Sequence, residues 1–183
     1  MMKKLNKKQK SAIAIAEDVL AQLKIGRYNA VRGVYLETSV PLKEGDLQSQ
    51  LKKNMTKRKP CAVCAVGSMF ISKVRLDDNF IIDRHDAGYS TVDGDLMCGL
   101  LEAAFTPDEL SHIESAFENY AEDYGYDHVA DFLESLDDKE ALKVLMTEVI
   151  RQGGMFDPEE FDAHLENLVA IDENSIWSKA YKL

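Results

Sequence analysis

Two cysteines stand three residues apart where a helix is expected to begin. Cys61 and Cys64 enclose Ala62 and Val63, and Pro60 directly precedes them. Proline is favoured at the first position of a helix, so this spacing predicts that both thiols lie at a helix N-terminus. Free N–H groups and the helix dipole at such an end lower the pKa of a thiol, which would suit redox or nucleophilic chemistry.

Nucleophilic catalysis would also require a base and a group that orients the base. His85 follows Cys61 in the sequence, with Asp86 and Asp83 close by, so Cys61 could attack while His85 removes the thiol proton. In the order of these residues the chain resembles the papain-like cysteine hydrolases, although no oxyanion-hole glutamine or family signature surrounds Cys61. A cysteine hydrolase is therefore an alternative function, with Cys61, His85 and Asp86 as its candidate catalytic residues.

A metal site is a second alternative for the same cysteines. Cys61, Cys64, His85 and Cys98 would together give a tetrahedral zinc site, but the second close pair that structural zinc sites usually show is missing. The simplest interpretation is that both thiols pack as small apolar groups in a buried helix. The sequence also has no phosphate-binding loop, dinucleotide-binding fingerprint or His-Glu-x-x-His motif, so it predicts no cofactor.

Charge is distributed unevenly along the chain, whose formal net charge is −10. Residues 1–60 carry 14 Lys or Arg and 5 Asp or Glu, a net of +9, whereas residues 61–183 carry a net of −19. Within 102–174 there are 21 acids and only three bases, Lys139, Lys143 and Arg151. Such an excess of charge on helices mainly keeps a protein soluble, but it can also attract a basic partner.

An acidic contact surface is the functional interpretation that we favour. Acidic side chains on rigid helices imitate a phosphate backbone, so they would suit the nucleic-acid-binding surface of a basic protein. The residues expected to make this contact are Glu114, Glu118, Glu122, Asp123, Asp131 and Glu134. Such binding should weaken steeply as the salt concentration rises.

The basic N-terminus has two interpretations of its own. Residues 1–10 contain five lysines, which form either a solubilising end or an arm that contacts phosphates. No aromatic residue lies among them to stack on bases, so specific reading of a nucleic acid is not expected. Direct binding of nucleic acid is not expected except through this arm.

Helical periodicity dominates the segments that would position these residues. Residues 61–71 are apolar on all sides, which predicts a buried central helix. An apolar stripe with a cap or stop signal predicts other helices over about 6–25, 41–54, 93–104, 106–124, 127–136, 138–152 and 157–169. The predicted fold class is therefore mainly α: a single domain over 1–183, built as a helical bundle around 61–71, with at most a small strand pair.

Length and composition favour a globular intracellular protein. The chain has 183 residues, of which 45% are hydrophobic and 30% charged, enough to bury a core. Three cysteines are an odd number, which favours a reducing compartment and hence the cytoplasm. The basic start followed by 11–16 is similar to a signal peptide, but Glu17 and Asp18 end the apolar stretch, and no run is long enough to span a membrane.

A resemblance to a known family rests on two short segments, Arg32-Gly33-Val34-Tyr35 and the stretch from Cys61 to Gly67, followed by a helix near Leu96. Over residues 7–120 the chain resembles a family of small uncharacterised proteins from bacteriophages and bacteria, built around a buried Cys-Ala-x-Gly helix. It departs from that family by its doubled cysteine and by an additional acidic helical tail. The family has no established activity, so the resemblance implies an accessory protein but no catalytic residues.

The favoured hypothesis is thus a macromolecule-binding accessory protein, phage-encoded if the resemblance holds, that binds or inhibits a basic protein which handles nucleic acid. The alternatives are the cysteine hydrolase and a self-assembling structural or virion component. No membrane partner is expected, and the sequence predicts no oligomeric state.

Overall fold

The computed structural model describes residues 4–77, 81–82, 94–118 and 127–169. The helices in these ranges are α1 (Lys7–Lys24), α2 (Leu47–Asn54), α3 (Ala65–Asp77), α4 (Gly94–Leu101), α5 (Pro107–Glu118), α6 (Asp127–Glu134), α7 (Asp138–Arg151) and α8 (Pro158–Val169). The strands are β1 (Tyr28–Ala30), β2 (Leu36–Glu37), β3 (Gly45–Asp46), β4 (Cys61–Val63) and β5 (Ile81–Ile82). The predicted mainly α fold class is confirmed. Among the described residues, no helix combines the length and hydrophobicity that crossing a bilayer would require.

Two predicted helix starts are confirmed by reciprocal capping bonds. At the start of α1, the Gln9 N–H donates to Asn6 Oδ1 over 2.9 Å, and the Asn6 N–H donates to Gln9 Oε1 over 3.0 Å. At the start of α5, the Thr106 N–H donates to Glu109 Oε2 over 2.7 Å, while the Glu109 N–H donates to Thr106 Oγ1 over 3.2 Å. Each box satisfies N–H groups that a helix N-terminus leaves without partners.

The predicted helix over 61–71 is wrong in its first turn. Cys61–Val63 is strand β4, which lies between β1, to which it is parallel, and β2, to which it is antiparallel. The helix α3 begins only at Ala65. Pro60, which has no N–H to donate, precedes a strand and not a helix. The small strand pair becomes a three-stranded sheet, and β3 and β5 form a second, two-stranded sheet.

The remainder of the predicted central helix is confirmed as the centre of the core. Every residue from 65 to 74 is buried, and α3 packs against α1, α4 and α5. The helix α7 packs against α1 and α5, so one continuous apolar core joins the N-terminal and C-terminal parts of the chain. Burial on all sides explains why the first half of α3, residues 65–71, contains no charged side chain.

A close backbone contact fixes α3 against the segment that joins β1 to β2. A Cβ atom placed on Gly67 would lie 1.4 Å from the carbonyl oxygen of Tyr35, so only glycine fits there. The Cys64 N–H donates to the Val34 carbonyl over 2.7 Å just before α3 begins. The start of α3 and residues 33–35 therefore form one rigid corner.

Arg32 connects the same corner to the ends of three helices. Its Nε donates to the Phe117 carbonyl over 2.7 Å and its Nη2 to the Leu133 carbonyl over 2.9 Å, near the C-termini of α5 and α6. Its Nη1 pairs with Asp138 in the first turn of α7, and its guanidinium lies 5.5 Å from the centre of the Phe117 ring. One cation thus offsets the negative ends of two helix dipoles.

Candidate functional site

A surface pocket opens where the start of α3, the 33–35 segment and α5 meet. Its volume is about 190 Å³, enough for several water molecules or the end of a long side chain. We call it the acidic pocket, and it is lined by Gly33, Val34, Tyr35, Cys64, Glu114 and Glu118. Glu114 and Glu118 are the two acidic side chains of this lining.

Cys64 lies at the base of the acidic pocket, immediately before α3. Its carbonyl accepts the Ser68 N–H over 3.0 Å, and its sulfur accepts the Gly67 N–H over 3.5 Å, so the thiol serves as the helix cap. Burial raises the pKa of Cys64 to about 12, and the charges of Glu118 and Glu114 act in the same direction. Burial, and to a lesser degree the acidic surroundings, therefore oppose the thiolate that a catalytic cysteine needs.

Tyr35 and Glu114 form one wall of the acidic pocket. The Tyr35 hydroxyl donates to Glu114 Oε1, and this hydrogen bond is the main reason that the pKa of Tyr35 is raised. The ring rests on Gly94 at the start of α4, where an added Cβ would lie 3.0 Å from it. Glu114 is thereby oriented by a side chain from a distant part of the sequence.

Glu118 forms the opposite wall, one helical turn after Glu114. Its Oε2 accepts the N–H of Gly33, whose φ of +74° places it in the left-handed region that favours glycine. Burial raises the pKa of Glu118, and the negative charges of Glu114 and Asp138 raise it further. The Gly33 N–H and the Arg32 guanidinium lower it but do not cancel the rise.

The acidic pocket can therefore hold a cation that brings its own N–H donors. Two carboxylates and a phenol oxygen give several acceptors around one small space, which suits an ammonium or a guanidinium group. Arg32 precedes Gly33 of the lining, but its guanidinium is already committed to Phe117, Leu133 and Asp138.

The four predicted acidic contact residues that the structure describes differ in their exposure. Glu114 and Glu118 are half-buried in the acidic pocket, whereas Asp131 and Glu134 are exposed on α6. Glu122 and Asp123 lie outside the described residues. Gly33 and Tyr35 were not predicted as site residues, and their one signal in the sequence was the Arg32-Gly33-Val34-Tyr35 segment on which half of the family resemblance rests.

Cys61 is not at a helix N-terminus, contrary to the prediction. It lies in β4, its N–H donates to the Arg27 carbonyl over 3.1 Å, and burial raises its pKa to about 11. The helix dipole that was expected to activate it is therefore absent. His85, Asp86 and Asp83 lie outside the described residues, so the remainder of the hydrolase hypothesis stays a prediction.

The zinc alternative receives no support from the cysteines alone. Within the described ranges, no three His, Cys, Asp or Glu side chains come together as metal ligands. Cys61, Cys64 and Cys98 are free thiols, and His85 lies outside those ranges.

Thiol reactivity gives a direct test of these assignments. We expect brief treatment of the native protein with iodoacetamide at neutral pH to modify Cys98 first, because it alone of the three is partly exposed. Cys61 and Cys64 should each react at least about 100-fold more slowly than an unperturbed thiol, since their raised pKa values leave little thiolate. Peptide mass spectrometry with and without urea measures all three, and fast modification of Cys61 in the native protein would instead favour the hydrolase.

The likeness of segments 32–35 and 61–67 to small phage and bacterial proteins stays a prediction. No protein-family model, no curated protein and no solved structure matches this chain. A function is therefore inferred from the geometry and charge of the described residues.

Proposed function

We propose that this protein binds a basic partner protein, and that the acidic pocket takes a lysine or arginine side chain of that partner between Glu114 and Glu118. The partner class is a protein that handles nucleic acid, because such proteins present basic surfaces to phosphates. Binding of its basic side chain in the acidic pocket would inhibit or modulate this partner protein. Three unpaired cysteines fit a reducing compartment, so we place this interaction in the cytoplasm.

The placement of Glu114 and Glu118 in the lining of one small pocket is the observation that carries this proposal. Glu118 and Glu114 stand one turn apart on α5 and repel each other when both are ionised. Burial is the main reason that the pKa of Glu118 is raised, and the charge of Glu114 adds to it. A cation placed between the two carboxylates would relieve their repulsion and favour the ionised form of Glu118. The repulsion between the two carboxylates is therefore unfavourable in the free protein, and a bound basic side chain would offset it.

The surroundings of the acidic pocket extend the same negative charge. Arg32 brings Phe117 and Leu133 to one point, so Glu118 and Glu134, which follow them in sequence, lie at neighbouring helix ends. Glu134 and Asp131 are exposed on α6. We propose that they contact the rim of the partner's surface, where charge mainly raises the rate of association.

Binding of an octa-arginine peptide carrying a fluorescent label tests the pocket. We expect the double variant Glu114→Gln/Glu118→Gln to lose about 10- to 100-fold in affinity, because two charge-assisted hydrogen bonds become neutral ones. Fluorescence anisotropy measures the affinity, and raising the salt concentration should weaken the binding of the unaltered protein steeply. Affinity capture from nuclease-treated bacterial lysate with both proteins would then identify partners that depend on the pocket.

The matched control is Asp108→Asn/Glu159→Gln. It changes the net charge by the same amount at two exposed positions outside the pocket. Equal losses in the two double variants would show that only overall charge attracts the peptide. Binding that is indifferent to salt would contradict the proposal directly.

The stability of Glu118→Gln separates a ligand site from a structural contact. A carboxyl group whose pKa is raised in the folded state destabilises the fold as the pH rises from its unfolded value through its folded value. We therefore expect Glu118→Gln to be as stable as the unaltered protein near pH 3 and more stable near pH 7. Urea unfolding at both pH values measures this difference, and destabilisation at neutral pH would mean that Glu118 serves the fold.

A further inference from the structure

A second charged surface lies on the described residues and plays no part in the acidic pocket. Six cationic side chains come from the end of α1, the end of α2 and the turn after α2. We call this set the basic face, and its members are Lys24, Arg27, Lys53, Lys57, Arg58 and Lys59. Neither 24–27 nor 52–60 contains an acidic residue.

Backbone contacts hold the segments of the basic face together. Thr56 and Lys59 exchange two N–H···O=C hydrogen bonds of 3.0 and 3.1 Å, which close a tight turn with Lys57 and Arg58 at its tip. This turn lies beside the end of α1, because a Cβ placed on Gly26 would be 3.7 Å from Lys57 Cγ. The hydrogen bond from the Cys61 N–H to the Arg27 carbonyl, 3.1 Å long, fixes the same junction from the other side.

Structural needs account for only part of this charge. Lys24 and Lys53 stand in the last turns of α1 and α2, where cations offset the helix dipole. Lys57, Arg58 and Lys59 complete no helix end and are exposed. Within the described ranges no salt bridge joins any member of the basic face to a carboxylate.

We propose that the basic face binds the phosphate backbone of duplex nucleic acid without reading its sequence. Six cations on an exposed turn and on the helix ends beside it offer positive charge to the repeated negative charges of a duplex backbone. Residues 24–27 and 52–60 contain no aromatic residue, and Tyr28, which follows Arg27, is buried, so these segments offer no ring for stacking on unpaired bases. That favours a duplex over a single strand.

The basic face and the acidic pocket consist of different residues. Binding of a duplex and binding of a basic protein can therefore be tested independently. The net charge of −10 opposes binding to a duplex at long range, but salt screens charges more than about 10 Å apart at 0.1 M. We therefore expect a non-specific dissociation constant of about 10⁻⁴ to 10⁻⁶ M at physiological salt.

Fluorescence anisotropy with a labelled DNA duplex of mixed sequence is the test. With six phosphate contacts, the affinity should fall about 10³-fold between about 50 and 200 mM salt. The variant Lys57→Glu/Arg58→Glu should lose at least about 50-fold at 0.1 M salt, because it removes two contacts and adds two repulsions. A scrambled duplex should bind equally well.

The control variant Lys43→Glu/Lys139→Glu makes the same change in net charge at two exposed lysines outside the basic face. Similar losses in both variants, or an affinity independent of salt, would overturn the proposal. Tighter binding to polyglutamate or to anionic vesicles than to the duplex would overturn it too. The proposal would also be overturned if the unaltered protein formed oligomers and the Lys57→Glu/Arg58→Glu variant did not, since the turn would then contact another copy of the chain. Glu114→Gln/Glu118→Gln should bind the duplex no less tightly than the unaltered protein.

Discussion

Replacement of Gly67 by alanine is expected to destabilise the protein by about 3 kcal/mol or more, although alanine is the better helix former. The new Cβ would lie 1.4 Å from the Tyr35 carbonyl oxygen and 2.6 Å from its carbon. Both are backbone atoms, so no side chain can rotate out of the way. To restore ordinary contact, α3 and the 33–35 segment would have to separate by about 2 Å.

Gly99→Ala is the matched control for this variant. Gly99 also lies within a helix, α4, but nothing stands within 4 Å of a Cβ placed there. We expect this change to stabilise the protein by up to about 1 kcal/mol, as helix propensity alone predicts. Urea unfolding followed by circular dichroism compares the two, and effects of the same sign would contradict the close contact at Gly67.

Local signals explain which parts of the fold could be predicted. Asn6 and Thr106 cap helices through bonds to residues three positions away, so the sequence itself contains both partners. The buried helix α3 was recognisable from its uninterrupted apolar run. These features depend on neighbours within one helical turn, and they were placed correctly.

Strand β4 could not be recognised in the same way. It has three residues, too few to show alternation, and its partners β1 and β2 lie some 25 to 35 positions earlier in the sequence. Pro60 precedes strands as well as helices. The hydrogen bonds of this sheet decide the conformation of Cys61, and nothing within Cys61-Ala62-Val63 indicates them.

The acidic pocket was half predictable for a related reason. The spacing of Glu114 and Glu118 places both on one face of α5, and the surplus of acids pointed to this region. Their partners could not be foreseen, because Tyr35 and Gly33 are 79 and 85 positions away. Two glutamates expected on an open surface are therefore half-buried walls of a pocket.

The contacts of Arg32 are the clearest case of partners too distant in the sequence to be predicted. Replacing Arg32 should also have a large effect on stability. Its polar partners lie 85 to 106 positions away in the sequence. The guanidinium donates hydrogen bonds to carbonyls at the C-terminal ends of α5 and α6 and to the Asp138 carboxylate. We expect Arg32→Ala to cost about 3 kcal/mol of unfolding free energy. This value is discounted for the 26% of the Arg32 side chain that remains exposed to solvent.

Arg32→Lys should recover less than half of that loss. A lysine ammonium has no planar fork, so it cannot serve two helix ends and a carboxylate from one position, and it stacks less well on Phe117. Arg58→Ala, which removes an exposed arginine at the tip of a turn, is the control and should change stability by no more than about 0.5 kcal/mol. Urea unfolding of the three variants gives the comparison.

A titration of Glu118 distinguishes the loss of the Arg32 charge from the loss of the packing that the Arg32 side chain provides. The positive charge of Arg32 lowers the pKa of Glu118, which burial and the charges of Glu114 and Asp138 raise. Arg32→Ala should therefore raise the pKa of Glu118 further, whereas Arg32→Lys should leave it closer to its original value. NMR titration of the Glu118 carboxyl carbon measures both shifts. An unchanged pKa in Arg32→Ala would show that the guanidinium supports the helices without setting the charge of the acidic pocket.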